Sequence, residues 1–410
     1  MKRFLKIIQN KFFSPKPNLS SNLEKPTFTY YIDSPNVEAE ITSTFVIIRG
    51  WIASEFPIQN PTLNDNQGDP KKLEQENRPD VEKAFPGQYV YGFRHLICIP
   101  ELAPEKTWLI SFVLNNNFQI IDLSLKVSPD SIKAFWELKE QKLKKLLSTF
   151  RCPICSSENL QILTTNINCQ NCNSSFSHNQ LHYNFLTPEL INYAKIKPSD
   201  NISTTGYDST CQNLIQKFSD GLILDNGCGV KDYYNLANII NFEIVAYPST
   251  DVVGVGEKLP FKSNIFDAIF SFAVLEHVRN PFECAKEIMR VLKPGGILYI
   301  QVPFLQPFHG FPDHYYNMTS SGLKNLFDNN IEILEAGVQD VGLPIWALTW
   351  FLNSYIEGLP DTIAEQFKNM KIGEILDHPS KYLDKEFVTK LHPITNEKLA
   401  SVNYLIGIKK

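Results

Sequence analysis

The stretch Leu222-Ile223-Leu224-Asp225-Asn226-Gly227-Cys228-Gly229 constrains this chain more than any other. An apolar run that ends in an acid and then in two glycines one residue apart is how a buried parallel strand delivers its carboxyl end to a ligand. The glycines let the backbone turn tightly and approach the ligand where a Cβ would collide. From there on strand and helix alternate, the pattern of a parallel sheet covered on both faces. The expected strands are Leu222 to Asn226, Asn241 to Val245, Asp251 to Val255, Phe266 to Phe272 and Ile297 to Val302. A helix through Leu236 follows the first. Another from Pro281 to Leu292 is broken by Lys293-Pro294-Gly295-Gly296. Ile331 to Glu335 and Val402 to Ile408 are expected as strands six and seven. Leu343 to Leu359 reads as a helix apolar most of the way round, hence a packed core helix, with a substrate lid or dimer surface as alternatives. A nicotinamide-binding turn needs a further glycine three residues after the second, and that position is Asp232.

A length of 410 residues predicts two to three domains. The net charge of -5 argues against wholesale nucleic-acid binding. No run of about 18 apolar residues predicts a membrane-spanning helix. Met1 to Phe13 spaces apolar residues helically among lysines and lacks a continuous secretory core, so it reads as a basic tail or docked helix, with weak peripheral membrane contact through residues 1–13 as the alternative. The tail and a Pro/Ser/Asn-rich linker occupy residues 1–24.

Residues 25–127 carry runs rich in aromatic and β-branched residues at Thr27 to Ile32, Phe45 to Ile52, Tyr89 to Ile99, Trp108 to Leu114 and Phe118 to Lys126. Short strands at this spacing predict a β-sandwich, with a long polar loop between Pro57 and Asn77. Trp51, Tyr89, Tyr91 and Trp108 are core aromatics or a sugar platform. The phrases Arg49-Gly50-Trp51, Arg78-Pro79-Asp80-Val81 and Gly92-Phe93 resemble a β-domain attached to some bacterial glycan-modifying enzymes.

A connecting amphipathic helix is expected within residues 128–150. Cys152-Pro153-Ile154-Cys155 and Cys169-Gln170-Asn171-Cys172 follow. Two residues between cysteines let both thiolates of a pair reach one ion, and two pairs supply the four soft ligands of a closed, structural Zn²⁺ site. Paired thiols in a chain this long fit a reducing cytoplasm better than disulfides. A redox role is the alternative for each pair, and His178 or His182 the alternative for one ligand. With the trailing Asn184-Phe185-Leu186, residues 151–187 resemble the zinc modules of several bacterial methyltransferases, among them an rRNA guanine methyltransferase.

Several separate motifs of residues 205–410 then occur in the order of one family. Leu224-Asp225-Asn226-Gly227-Cys228-Gly229, Gly256-Glu257-Lys258-Leu259-Pro260-Phe261, Phe266-Asp267-Ala268-Ile269, Leu275-Glu276-His277-Val278 and Arg290-Val291-Leu292-Lys293-Pro294-Gly295-Gly296 resemble the type 11 group of class I S-adenosylmethionine-dependent methyltransferases. The resemblance implies a Rossmann-like, doubly wound, mostly parallel seven-stranded sheet. It implies that Gly227 and Gly229 present N–H groups to the cofactor's carboxylate, Asp225 meets its ammonium, Glu243 its ribose, Gly256 and Glu257 its adenine side, and that Phe272 and Ala273 lie beside it. The chain departs from the pattern at Lys231, where a third glycine is usual, in the shifted acid Glu257, and in the short link Ala246 to Thr250.

Methyl transfer is an in-line displacement in which positioning supplies much of the rate. A base is needed only for acceptors such as hydroxyls, and His309, His314 and His277 are the candidates. His277 reads equally as a residue closing the cofactor pocket. The phrase Pro303-Phe304 and His309 to Tyr316 also recurs in the resembling family. The expected acceptor is an O or N atom of a sugar, glycan precursor or other small molecule. The alternatives are an RNA methyltransferase and a non-catalytic cofactor-binding or scaffold module. The oligomeric state is not readable from the sequence.

Overall fold

A computed structural model describes residues 28–36, 40–42, 45–64, 70–98, 105–196, 206–231, 236–310, 313–327, 331–376 and 379–399. The basic tail and linker, Asp232 and the expected seventh strand lie outside the described residues. The chain divides into two compact units, one built on Ile47–His95 and Thr107–Ser124, the other running from Leu125.

The first unit holds two four-stranded sheets. Strands β1 (Phe28–Ser34), β2 (Phe45–Ser54), β3 (Gln59–Asn64), β4 (Lys71–Lys72), β5 (Glu74–Glu76), β6 (Tyr89–Cys98), β7 (Glu105–Leu114) and β8 (Asn117–Lys126) pair in the orders β1-β2-β6-β5 and β4-β3-β7-β8. The Phe28 ring meets Phe112 of the other sheet edge-on at 5.0 Å. Ile48, Ile52, Phe93, Ile110 and Leu114 are buried with it. The expected loop between Pro57 and Asn77 instead carries β3, β4 and β5. Most of the polar residues here face solvent, while Leu63 in β3 and Leu73 between β4 and β5 turn inward, and an antiparallel strand with one face in water needs only that one apolar face. Trp51 and Trp108 are buried, which is the core reading of both; Tyr89 is exposed.

The second unit is organised on one sheet of β9 (Leu160–Ile162), β10 (Asn166–Cys169), β11 (Ser175–His178), β12 (Tyr183–Asn184), β13 (Ile223–Asn226), β14 (Ile239–Glu243), β15 (Val252–Val253), β16 (Phe266–Phe272) and β17 (Leu292–Gln301). Its order is β17-β16-β13-β14-β15-β12-β11-β10-β9. From β12 to β17 every pairing is parallel, whereas β9 to β12 pair antiparallel. Successive residues serve opposite faces. Ile223, Ile239, Ala268 and Phe270 pack with Cys211 and Leu214 of helix Ser209–Lys217. Leu224, Ile240, Phe242 and Ile269 pack with Cys284, Ala285 and Ile288 of helix Pro281–Val291 and with the connecting helix Pro129–Leu146.

Two expectations fail here. Ile331 to Glu335 forms no strand, and Ile333 and Leu334 are exposed. Helix Pro344–Glu357 does not pack as a core helix: Ile345, Trp346, Leu348, Trp350 and Phe351 are exposed. Apolar content sets what a helix can bury, but only a facing element makes it buried.

The cysteine module does not hang from the sheet; it extends it. Tyr183 and Asn184 pair with Val252 and Val253, and the Tyr183 hydroxyl donates to Leu143 O at 3.1 Å. Phe150 packs against Tyr183, Phe185 and Phe261. Beside this cluster Asp251 is fully buried, and it takes the ammonium groups of Lys139 and Lys142 from the connecting helix, each at 2.7 Å. Asp251 also accepts the Asn241 N–H at 2.9 Å. The two lysines hold its carboxyl below the usual range against the opposing effect of burial. Removing one member of a buried ion cluster strands the others, which costs about 3–5 kcal/mol. Asp251→Ala should lose that much in a denaturant melt. Folding depresses the Asp251 pKa, so its contribution is full above the unfolded value of about 3.9 and fades as pH falls through the folded value. The wild type should therefore lose stability over that acid range by more than the variant does.

Candidate functional site

The carboxyl ends of β13, β14 and β16 and the segment after β15 converge, the crevice where open α/β sheets place ligands. Gly227 and Gly229 follow β13 with positive φ of 76° and 61°. A Cβ at Gly227 would collide with Val274 Cγ2, in the turn after β16. Glu243 ends β14 and reaches back to accept the Gly229 N–H at 2.8 Å through Oε2 and the Ile244 N–H at 2.7 Å through Oε1. Gly256 lies against the Asn226 side chain and Cys284 Sγ. Glu257 is buried and accepts the Asn280 N–H at 3.3 Å. Burial raises the pKa of both Glu243 and Glu257. Ala273 turns the chain out of β16 with φ of 54° and donates its N–H to Gln301 O at 3.0 Å. Phe272 stacks on Phe270 in the core.

The glycine turn differs from the expectation in one respect. Its N–H groups are engaged within the chain: those of Gly227 and Cys228 go to Phe242 O at 2.9 and 3.1 Å, and that of Gly229 goes to Glu243. A backbone N–H seeks an acceptor, and here the next strand end supplies them.

Asp225 is 1% exposed. The Tyr207 hydroxyl donates to its Oδ2 at 2.6 Å, and the Lys231 ammonium lies 3.4 Å from the same oxygen and over the Tyr207 ring. Burial, followed by Asp225, pushes the Tyr207 hydroxyl well above its usual range. The departure at Lys231 thus has a physical reason: its charge neutralises the buried acid. Tyr207 was not among the expected site residues, and it carries no signal of its own in the sequence.

One turn after Val274, the histidines at 277, 309 and 314 come together, with ring centroids 4.5 to 5.6 Å apart. Their hydrogen bonds fix the tautomers. His277 Nδ1–H donates to Asp313 O at 2.7 Å, and His309 Nδ1–H to Pro307 O at 2.9 Å, which leaves Nε2 of each ring as a lone-pair site. His314 accepts the His309 N–H at Nδ1 (3.1 Å) and donates from Nε2 to Asn317 Oδ1 (2.9 Å), so both its nitrogens are engaged. Burial holds the imidazoles of His277 and His314 below their usual range. Glu276, also missed from sequence, is fully buried beside these rings, and among the described residues neither carboxylate oxygen has a hydrogen-bond partner. Burial raises its pKa to about 8.

The four cysteines form a second constellation. Their sulfurs all lie within 4.8 Å of one another, with Cys152–Cys172 at 3.6 Å and Cys155–Cys169 at 3.5 Å. A tetrahedral ion with arms of about 2.3 Å to sulfur has edges of about 3.8 Å, so the set fits. The two turns match: Ser156 N–H returns to Cys152 O and Asn173 N–H to Cys169 O, with positive φ of 62° and 60° at Ser156 and Asn173. A hydrogen bond from Ser174 lowers the Cys172 thiol to about 6, whereas burial pushes Cys152 up to about 12. His178 Nε2 is taken by Leu163 O at 2.8 Å.

Residues 226–300 match the family model of a methyltransferase domain. The tRNA U34 carboxymethyltransferase of Desulfotalea psychrophila is 32% identical over 96 residues, covering 21% of this chain and 28% of its own length. Cycloartenol-C-24-methyltransferase 1 of Oryza sativa subsp. japonica is 33% identical over 95 residues, with coverage of 18% and 28%. This chain therefore spans under a third of either relative's length. Among solved structures, phosphoethanolamine N-methyltransferase 2 of Haemonchus contortus in complex with S-adenosyl-L-methionine is 16% identical, with coverage of 50% of this chain and 53% of that one and a TM-score of 0.26.

Among these contacts the bond from Tyr207 to Asp225 is the most directly testable. Tyr207→Phe should lower stability by about 1.5–3 kcal/mol, the range for a hydrogen bond to a charged group, measured by thermal and denaturant melts.

Proposed function

We propose that this chain binds S-adenosyl-L-methionine and transfers its methyl group to an O or N atom of a small molecule, with sugars and glycan precursors as the leading class. The observation that carries the reading is the meeting of the Gly227–Gly229 turn with Glu243 at two neighbouring strand ends, inside the segment that matches a methyltransferase domain. The donor set suits the cofactor. Asp225 is the acid for an ammonium group. The Gly229 N–H already holds a carboxylate oxygen at 2.8 Å, and on exchange for a ligand carboxylate it frees Glu243 for ribose hydroxyls. Gly256 and Glu257 serve the adenine side, and Phe272 keeps Ala273 in its turn. When bound, the cofactor supplies an electrophilic methyl group on sulfonium.

The chain's part is to hold the acceptor in line and exclude water. For a hydroxyl acceptor, His309 Nε2 is the group placed to take the proton, with His277 beside it; His314, with both nitrogens engaged, positions His309. The four cysteines hold a structural Zn²⁺ that rigidifies the sheet's extension. A reducing, cytoplasmic setting suits those thiols. A second reading, methylation of RNA, draws on the cysteine module and on the tRNA-modifying relative. The net charge of -5 weighs against it.

Calorimetry should show S-adenosyl-L-methionine binding to the wild type, weakened about tenfold or more in Asp225→Ala, which loses a charge-assisted contact. Radiolabelled methyl transfer offered to sugar nucleotides, free glycans and RNA then separates the acceptors. No binding to the wild type refutes the proposal, and binding without turnover on any acceptor leaves a cofactor-binding module. For the zinc, Cys155→Ser and Cys172→Ser should each remove the thiolate-held ion and lower the melting temperature. Zinc content unchanged in both refutes the structural site.

A further inference from the structure

We propose that Glu276, His277 and His309 bind a divalent first-row transition ion at the carboxyl end of β16, separate from the four-cysteine site. One donor atom from each lies within 4.8 Å of the others. His277 Nε2 and Glu276 Oε1 are 3.8 Å apart. A tetrahedral ion with arms of about 2.0–2.2 Å to nitrogen and oxygen has edges of about 3.3–3.6 Å, so small side-chain movements close the site.

Two independent features point to an ion. The first is the Glu276 carboxylate, 0% exposed and, among the described residues, without a hydrogen-bond partner at either oxygen. Among the described residues no lysine or arginine pairs with it. A buried lone carboxylate must take a proton or a cation. The second is the fixing of both imidazoles. Each donates Nδ1–H to a backbone carbonyl, Asp313 O for His277 and Pro307 O for His309, which is how metal-ligating histidines are commonly oriented. Tyr315 and Tyr316 N–H groups tie the Glu276 carbonyl at 2.7 and 3.2 Å, holding the loop that carries His309 beside the acid.

Two imidazoles and one carboxylate select borderline divalent ions such as Zn²⁺, Co²⁺ or Fe²⁺ over the harder Ca²⁺ and Mg²⁺. Three protein ligands leave at least one position open for a ligand oxygen, unlike the closed cysteine site. An ion here occupies the Nε2 lone pairs that would otherwise accept a proton, so ion binding and the general-base role of His309 and His277 exclude each other; the inference does not need the proposed acceptor class or turnover.

The test is metal analysis and visible spectroscopy of the full chain produced with Co²⁺ as the supplied transition ion. The wild type should carry two cobalt ions per chain, one with the thiolate charge-transfer band of the cysteine site and one with weaker nitrogen- and oxygen-ligand absorption. Glu276→Gln and His309→Ala should each lose one cobalt and keep the thiolate band, which also reports that the module and its sheet remain folded. A single, thiolate-bound cobalt in the wild type overturns the proposal, as does retention of the second cobalt in either variant.

Discussion

The buried cluster of Asp251 with Lys139 and Lys142 ties together nearly everything that shapes the crevice. Lys139 also donates to the carbonyls of Ser249 and Thr250. The Ser249 hydroxyl accepts the Lys231 N–H at 3.1 Å, and the Lys231 ammonium faces Asp225. A continuous polar path therefore runs from the connecting helix, through the link between β14 and β15, to the acid that ends the first parallel strand. Such a cluster is weak evidence of net stability, since well-packed apolar residues often do as well. What it imposes is register: each charge is satisfied only when helix, link and glycine turn are all in place. The short link between β14 and β15 is thus anchored by lysines of the connecting helix.

The same link explains why the cysteine module is a continuation of the sheet. β15 is only two residues long, and the strand that covers its free edge is Tyr183–Asn184 from the module. Tyr183 and Phe185 donate their N–H groups to Asp251 O and Val253 O. An uncovered edge of this kind would expose backbone donors and acceptors. Order at the cysteines is consequently coupled to order at Asp251, and through it to the crevice.

Legibility in the sequence followed the range of the interaction. The bounds Phe266 to Phe272 are legible to the residue, because a strand buried on both faces is a continuous apolar run. The Cys-x-x-Cys pairs were equally plain, since their ligand geometry is local. β3 to β5 look like loop in the sequence because a strand with one face in water carries at most one inward apolar residue in two. The pairing of Lys139 with Asp251 joins residues 112 positions apart, and on its own helix that lysine looks like any solvated charge. Tyr207 and Glu276 were missed for the same reason: a tyrosine or glutamate announces its role only through what surrounds it. Helix Pro344–Glu357 shows the converse, since apolar composition does not by itself supply the partner that would bury it.

Four acids line or approach the crevice, and their surroundings divide them. Asp225 is met by a hydroxyl and an ammonium group, Glu243 by two backbone N–H groups, and Glu257 by one. Each of these has a partner that a ligand could replace or share, which suits reversible binding of a group with its own charges. Glu276 has none among the described residues, although it is the most deeply buried of the four. A single unmet carboxylate in an otherwise satisfied site is costly enough, at about 1–3 kcal/mol or more for a charged group, that it calls for a compensating proton or ion. His277 and His309, each with one ring nitrogen unpartnered among the described residues, bring a donor atom within 4.8 Å of it, so the unmet charge and the unmet ligands belong to one arrangement.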